Sequence, residues 1–221
     1  MALTAPADRR PAMLKWLNLL LDDPRAAEAR LLPPLLKESP EYPDWSAAVQ
    51  PVLARLLDAN RMNRKMVCRV LDIPALNAFA LPHKTVVVSQ LLVDFCRDRA
   101  DQMAFVVAHE VAHIHLGHAR ERNWANAVLT VAPLANPLVG AGLRFLFDRA
   151  YTREQEFEAD ATAVRLCARA GYAPFGSVAL LDRLAHGGAP GPLVAQLLST
   201  HPPMAERVIL LNQAIRDSRP A

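Results

Sequence analysis

"HEVAHIHLGHARER", residues 109–122, holds four histidines within ten positions of an otherwise largely apolar stretch. His109 and His113 are four residues apart, so on a helix they share one face and two imidazoles reach a single ion. Glu110 lies between them, angled toward a water in that ion's open position. His115 follows His113 by two residues and points about 200° round the helix from it. The longer pattern HExxHxxGxxH needs Gly at 116 and His at 119; this chain has Leu116 and Ala119, so His118 misses the ligand position by one residue. His115 and His118 are therefore read as surface or hydrogen-bonding residues, and a third ligand must come from elsewhere.

"YTREQEFEADATAVRLCARAG", residues 151–171, forms a second long helical segment that Gly171 stops. On a helical wheel Glu154, Glu158, Arg165 and Arg169 fall in one charged stripe that must face water. Glu156 and Asp160 fall on the opposite side, with Ala163, Val164, Cys167 and Ala170. Two carboxylates on an apolar face are costly unless each has a partner. A divalent metal and a ligand histidine supply both: Glu156 becomes the third ligand, and Asp160 holds a ligand imidazole by its other nitrogen. The alternative is a buried Glu–Arg pair, with Arg153 or Arg207.

The 221 residues are 52% hydrophobic and 21% charged, the composition of a folded chain and not of a disordered one. A net charge of +3 is too small to mark a polyanion binder. The basic run "RMNRKMVCR", residues 61–69, reads as a solvated edge, and no nucleic-acid motif accompanies it. Cys68, Cys96 and Cys167 are odd in number and far apart. They read as buried free thiols of a reducing compartment. A cytoplasmic protein is the expectation, with a periplasmic or membrane-peripheral one as the alternative. Arg9 and Arg10 suggest an export signal, but Lys15 interrupts the following apolar run and Asp22 and Asp23 close it, so an amphipathic helix is expected. Residues 123–143 carry no charge, and about 20 such residues suffice to span a bilayer. Pro133, Pro137, Gly140 and Gly142 interrupt them, so two short buried helices are expected, in contact with a membrane at most and not spanning it.

Along the rest of the chain, residues 12–59 look helical, punctuated by "LLPPLL" and "ESPEYPDW", with Ser46 as N-cap of a helix that ends at Asn60. Three β-like pieces follow, "KMVCRVLD", "NAFAL" and "KTVVVSQ". The last, residues 84–90, is read as an edge strand on which an extended peptide substrate adds by main-chain hydrogen bonds. The expected fold class is α+β, dominated by helix. Residues 1–60 form an N-terminal helical segment of unassigned role packed on a domain spanning 61–221.

"HEVAH", "TREQEFEAD" and "STHPPMAERV", in that order and preceded by "NAFALP", resemble the signatures of the HtpX-like and CAAX-prenyl-protease-like metallopeptidases, family 48 of the metallopeptidases. The resemblance covers residues 65–215. It implies a gluzincin-type zincin fold, a short mixed sheet beside the HExxH helix, and one Zn²⁺ per chain held by His109, His113 and Glu156. It also implies a zinc-dependent endopeptidase acting on proteins or peptides in protein quality control, with Glu110 as catalytic base. His201 of "STHPP" resembles a histidine near the zinc that either donates to the tetrahedral oxyanion or caps the metal in a resting state. Asp160 and Arg207 support the site, Arg207 by holding the His201 loop through a salt bridge. The competing class is a catalytically silent, zinc-stabilised binding module or holdase for misfolded chains, and the intact Glu110 favours the enzyme. Two departures stand out: His83 and Lys84 follow "NAFALP" where the family usually has Gly, and many relatives carry clear transmembrane helices. The oligomeric state is not legible.

Overall fold

Val86 and Val88 face one side of the strand "TVVVS" and Val87 the other, and each side meets its own apolar cluster. The computed structural model describes residues 23–121, 151–186, 201 and 204–218. Strands β1 (Val67–Leu71), β2 (Ala78–Ala80) and β3 (Thr85–Ser89) form one mixed sheet in the order β1-β3-β2. β1 runs parallel to β3, with Cys68 opposite Val86, and β2 runs antiparallel to it, with Ala78 opposite Val88.

The topology corrects the expectation for residues 84–90. That segment is the central strand, paired on both sides, and cannot take an added peptide strand. Its uninterrupted burial is the physical reason: all five residues of β3 are buried, as in a strand covered on both faces and along both edges.

Helices α1 (Pro24–Glu38), α2 (Pro43–Ala59), α3 (Gln90–Phe95), α4 (Ala100–His115), α5 (Arg153–Arg169), α6 (Gly176–His186) and α7 (Met204–Asp217) surround the sheet. The fold is thus helix-dominated α+β, as expected. Leu35 of α1 covers one face with Leu71, Phe79, Leu81 and Val87. The other face belongs to the main core, where Leu53 and Leu56 of α2 meet Val86, Val88, Val107 and Val164. Residues 43–59 are therefore part of the same core as the strands and the histidine helix. α1 runs through Pro33 and Pro34, so "LLPPLL" does not interrupt it. α2 begins at Pro43, whose preset φ suits a first helical position. Ser46 is accordingly inside the helix and not its N-cap; its hydroxyl donates to Glu41 Oε1 and accepts from Val70 N, tying α2 to β1.

α4 is buried at every residue from Gln102 to His113, the signature of a helix enclosed on all sides. It ends where Gly117 adopts φ +86°, and a helical turn restarts at His118. A Cβ at Gly117 would meet nothing within 4 Å, so backbone conformation alone favours glycine there. α5 opens with a capping box between Thr152 and Gln155 and closes at Gly171, φ +73°. Among the described residues no helix is long and apolar enough to cross a membrane. The expectations for residues 1–22 and 123–143 lie outside the described residues.

The turn that carries the "NAFALP" departure is anchored from α1. The buried carboxylate of Glu28 in α1 accepts from the backbone N–H of His83 and Lys84 at 2.9 Å and of Thr85 at 3.3 Å, and from the Thr85 hydroxyl at 2.6 Å. One side chain thus holds the β2–β3 turn. Glu28→Ala leaves these donors without their acceptor and should cost about 2–4 kcal/mol. The check is a urea titration: the midpoint falls with the slope unchanged, and a loss below about 0.5 kcal/mol would show that water replaces the carboxylate.

Candidate metal centre

His109 and His113, one turn apart on α4, point Nε2 atoms at each other across 3.1 Å. Glu156 of α5 completes a triangle, with Oε2 3.5 Å from His109 Nε2 and Oε1 3.4 Å from His113 Nε2. His201 adds Nδ1 at 2.8 Å from Glu156 Oε1 and 3.4 Å from His109 Nε2. One donor atom from each of these four buried residues lies within 4.8 Å of all the others. Donors bound to zinc at about 2.0–2.2 Å in a tetrahedron stand about 3.3–3.6 Å apart. In the triangle of His109, His113 and Glu156 the two edges to Glu156, 3.5 and 3.4 Å, fall in that range and the His109–His113 edge, 3.1 Å, lies just below it.

Charge points the same way. Glu110, Glu156 and Asp160 are buried carboxylates, and Arg207 is the cation buried among them. When all three are ionised, one guanidinium leaves an excess of two negative charges, which a divalent cation balances. Burial favours the neutral acid of Glu156, but the charges of His201 and His109 and hydrogen bonds from His109 and His113 hold it well below the usual carboxylate range. Burial likewise opposes the Asp160 carboxylate, and the Arg207 guanidinium reverses this and lowers its pKa. Burial pushes the His109 imidazolium down, while the Glu156 charge and contacts with Asp160 and Glu156 outweigh it and raise the pKa to about 10. The protein's own charges therefore draw positive charge to this point. Burial drives His113 well below its ordinary value, leaving the neutral imidazole that a metal requires. Glu110 Oε2 is buried and has no hydrogen-bond partner among the described residues, as suits an oxygen that receives a proton from water.

Around these donors lies a second set of contacts. Asp160 Oδ1 sits 3.0 Å from His109 Nδ1, the nitrogen facing away from the triangle. Arg207 of α7 donates through Nε and Nη2 to both Asp160 oxygens at 2.8 Å, and its Nη1 lies 3.1 Å from Glu156 Oε2. The expected Arg207 salt bridge exists, and among the described residues it ties the start of α7, just after His201, to Asp160 and Glu156 of α5. The Glu–Arg pair weighed from sequence as an alternative coexists with the histidine cluster. Glu154 and Glu158 are exposed, as the wheel implied. His115 is exposed, whereas His118 is buried, with Nδ1 3.2 Å from His113 Nδ1 and Nε2 3.3 Å from Glu158 Oε2. Tyr151, given no role from sequence, stacks on His113 with ring centroids 3.6 Å apart and planes 12° off parallel. Only its position just ahead of the α5 cap hinted at it.

His201 Nε2 faces Glu110 Oε1 at 3.5 Å and the carbonyl oxygen of Ala78 in β2 at 3.4 Å. Beside Glu110 opens an apolar pocket walled by Leu92, Phe105, Val106, Leu180, Leu181 and Leu184. Reactive groups and pocket thus meet at one mouth, between β2, α4 and α6.

Comparison with known proteins gives this geometry its family. The chain is 30% identical to the human mitochondrial metalloendopeptidase OMA1 over 197 residues, 76% of this chain and 37% of that protein. It is 33% identical to the mitochondrial metalloendopeptidase OMA1 of Arabidopsis thaliana over 155 residues, 66% of this chain and 30% of the relative. Over 164 residues it is 27% identical to the β-barrel assembly-enhancing protease of Escherichia coli K12, 66% of this chain and 33% of that protein. The chain thus spans about a third of the length of these relatives. The sequence profile described as peptidase family M48 matches residues 44–215, taking in α2 as well as both motif helices, and the chain belongs to that family.

Proposed function

We propose that this chain is a zinc-dependent endopeptidase that hydrolyses peptide bonds of protein or peptide substrates, within protein quality control. The observation that carries the reading is the Glu110 oxygen that has no hydrogen-bond partner among the described residues, beside a donor triangle close to zinc size. His109, His113 and Glu156 hold the ion, with Asp160 and Arg207 behind them. A divalent ion there lowers the pKa of a water toward about 7 and polarises a carbonyl. Glu110 takes the proton of the attacking water on its open oxygen and passes it to the leaving amine. Low dielectric around the buried carboxylate strengthens each of these contacts. The leucine-rich pocket next to Glu110 favours substrates with an apolar side chain beside the scissile bond. The silent-module alternative has no observation in its favour, since Glu110 is in place beside the donor set. Cys68, Cys96 and Cys167 are free and buried, in keeping with the reducing, cytoplasmic setting read from sequence; other members of the family carry mitochondrial names.

Glu110→Gln should keep one zinc per chain and lose at least about a hundredfold in peptide hydrolysis, because the residue is a base and not a ligand. Metal analysis alongside a casein-type degradation assay, with and without chelator, checks this; wild-type cleavage by the variant would overturn the mechanism.

Glu156→Ala should abolish stoichiometric zinc, whereas Glu154→Ala should leave it intact. Metal content after dialysis decides between them, and zinc retained by the Glu156 variant would remove that residue from the ligand set.

His201 Nδ1 lies among the donor atoms, so His201 is proposed to close the site at rest. His201→Ala should keep zinc and raise kcat. A fall of about ten- to a thousandfold would instead assign the residue to oxyanion stabilisation.

A further inference from the structure

His118 has no place in the reading above, yet it is buried against a proposed ligand. In an unbroken helix a residue five positions on stands about 140° round the axis, too far to meet His113. The positive φ of Gly117 breaks the helix and turns His118 back, so that the two rings lie 5.2 Å apart between centroids.

The tautomers then follow by elimination. A histidine ligand is neutral and coordinates through an unprotonated nitrogen. For His113 that nitrogen is Nε2, which faces His109 and Glu156, so its proton sits on Nδ1. Nδ1 faces His118 Nδ1 at 3.2 Å, and only one of two facing nitrogens carries the proton between them. His118 must therefore accept at Nδ1 and carry its own proton on Nε2. That nitrogen lies 3.3 Å from Glu158 Oε2, an acceptor. Each donor in this series of three groups has its acceptor, and all point outward from the ion. Tyr151 stacked on the His113 face sets the ring plane, while the contact at Nδ1 sets its rotation in that plane.

Resting on the zinc-site reading, we propose that His118 and Glu158 are the positioning pair for His113, doing for that ligand what Asp160 does for His109. The two arms differ in kind. Asp160 is buried and matched by Arg207, whereas the Glu158 side chain is 66% exposed, so water and salt screen its share. Most of the effect therefore lies in the neutral acceptor of His118.

The test is zinc affinity, measured by chelator competition in the Glu110→Gln background, so that it does not depend on hydrolysis. Asparagine carries its amide oxygen close to where histidine carries Nδ1, while glutamine reaches toward the place of Nε2. His118→Ala should weaken zinc binding about 10- to 100-fold, His118→Asn should stay within about threefold of the parent, His118→Gln should resemble alanine, and Glu158→Gln should lose about two- to fivefold. Metal-free melting of each variant separates loss of fold from loss of the ion. Where His118→Ala melts early, the comparison of Asn with Gln carries the decision. Unchanged affinity in His118→Ala overturns the proposal, as does equal loss in the Ala and Asn variants, which reduces His118 to packing. Both results leave the zinc site standing; a parent chain that takes up no zinc overturns the site and the pair together.

Discussion

Three carboxylates and one guanidinium buried in one place set the terms for the rest of the molecule. Glu110, Glu156, Asp160 and Arg207 lie where α4, α5 and α7 meet, away from the water that would otherwise screen them. Burying ionised groups costs several kcal/mol each unless attraction and hydrogen bonds offset it. Arg207 offsets much of this for Asp160 through two 2.8 Å hydrogen bonds, and reaches Glu156 as well. The remaining negative charge falls beside two imidazole nitrogens on α4, at the spacing of a tetrahedral divalent site. Charge balance and donor geometry thus converge on the same point.

Holding that point requires rigid support, and the fold supplies it on several sides. α4 is enclosed from Gln102 to His113, so its histidines cannot shift without disturbing the core. α5 is fixed at its start by a capping box and at its end by Gly171. The outer nitrogen of each of the two buried α4 histidines has a neighbour, Asp160 for His109 and His118 for His113. The sheet carries the site's third wall, because Ala78 of β2 approaches His201. α1 belongs to this scaffold too, since Glu28 sets the turn between β2 and β3. His201 departs from the pattern. It sits ahead of α7 and not within a helix, and it touches both the donor set and Glu110, the position of a side chain able to close or open the site.

What the chain's sequence determined by itself was everything governed by the period of a single element. The four-residue spacing of His109 and His113, and the split that buries Glu156 and Asp160 while exposing Glu154 and Glu158, follow from 3.6 residues per turn and need no knowledge of neighbours. β1 and β3 were legible from their short β-branched runs, and β2 from the short apolar piece bounded by Pro74 and Pro82. Tertiary structure decided which surfaces meet. It made β3 central, drew Ser46 inside a helix, and turned Arg207 toward α5. It also brought His118 back onto His113 through a break that a wheel for one continuous helix does not contain. Local periodicity says which way a side chain points from its own axis; only the packing of the axes says what it finds there.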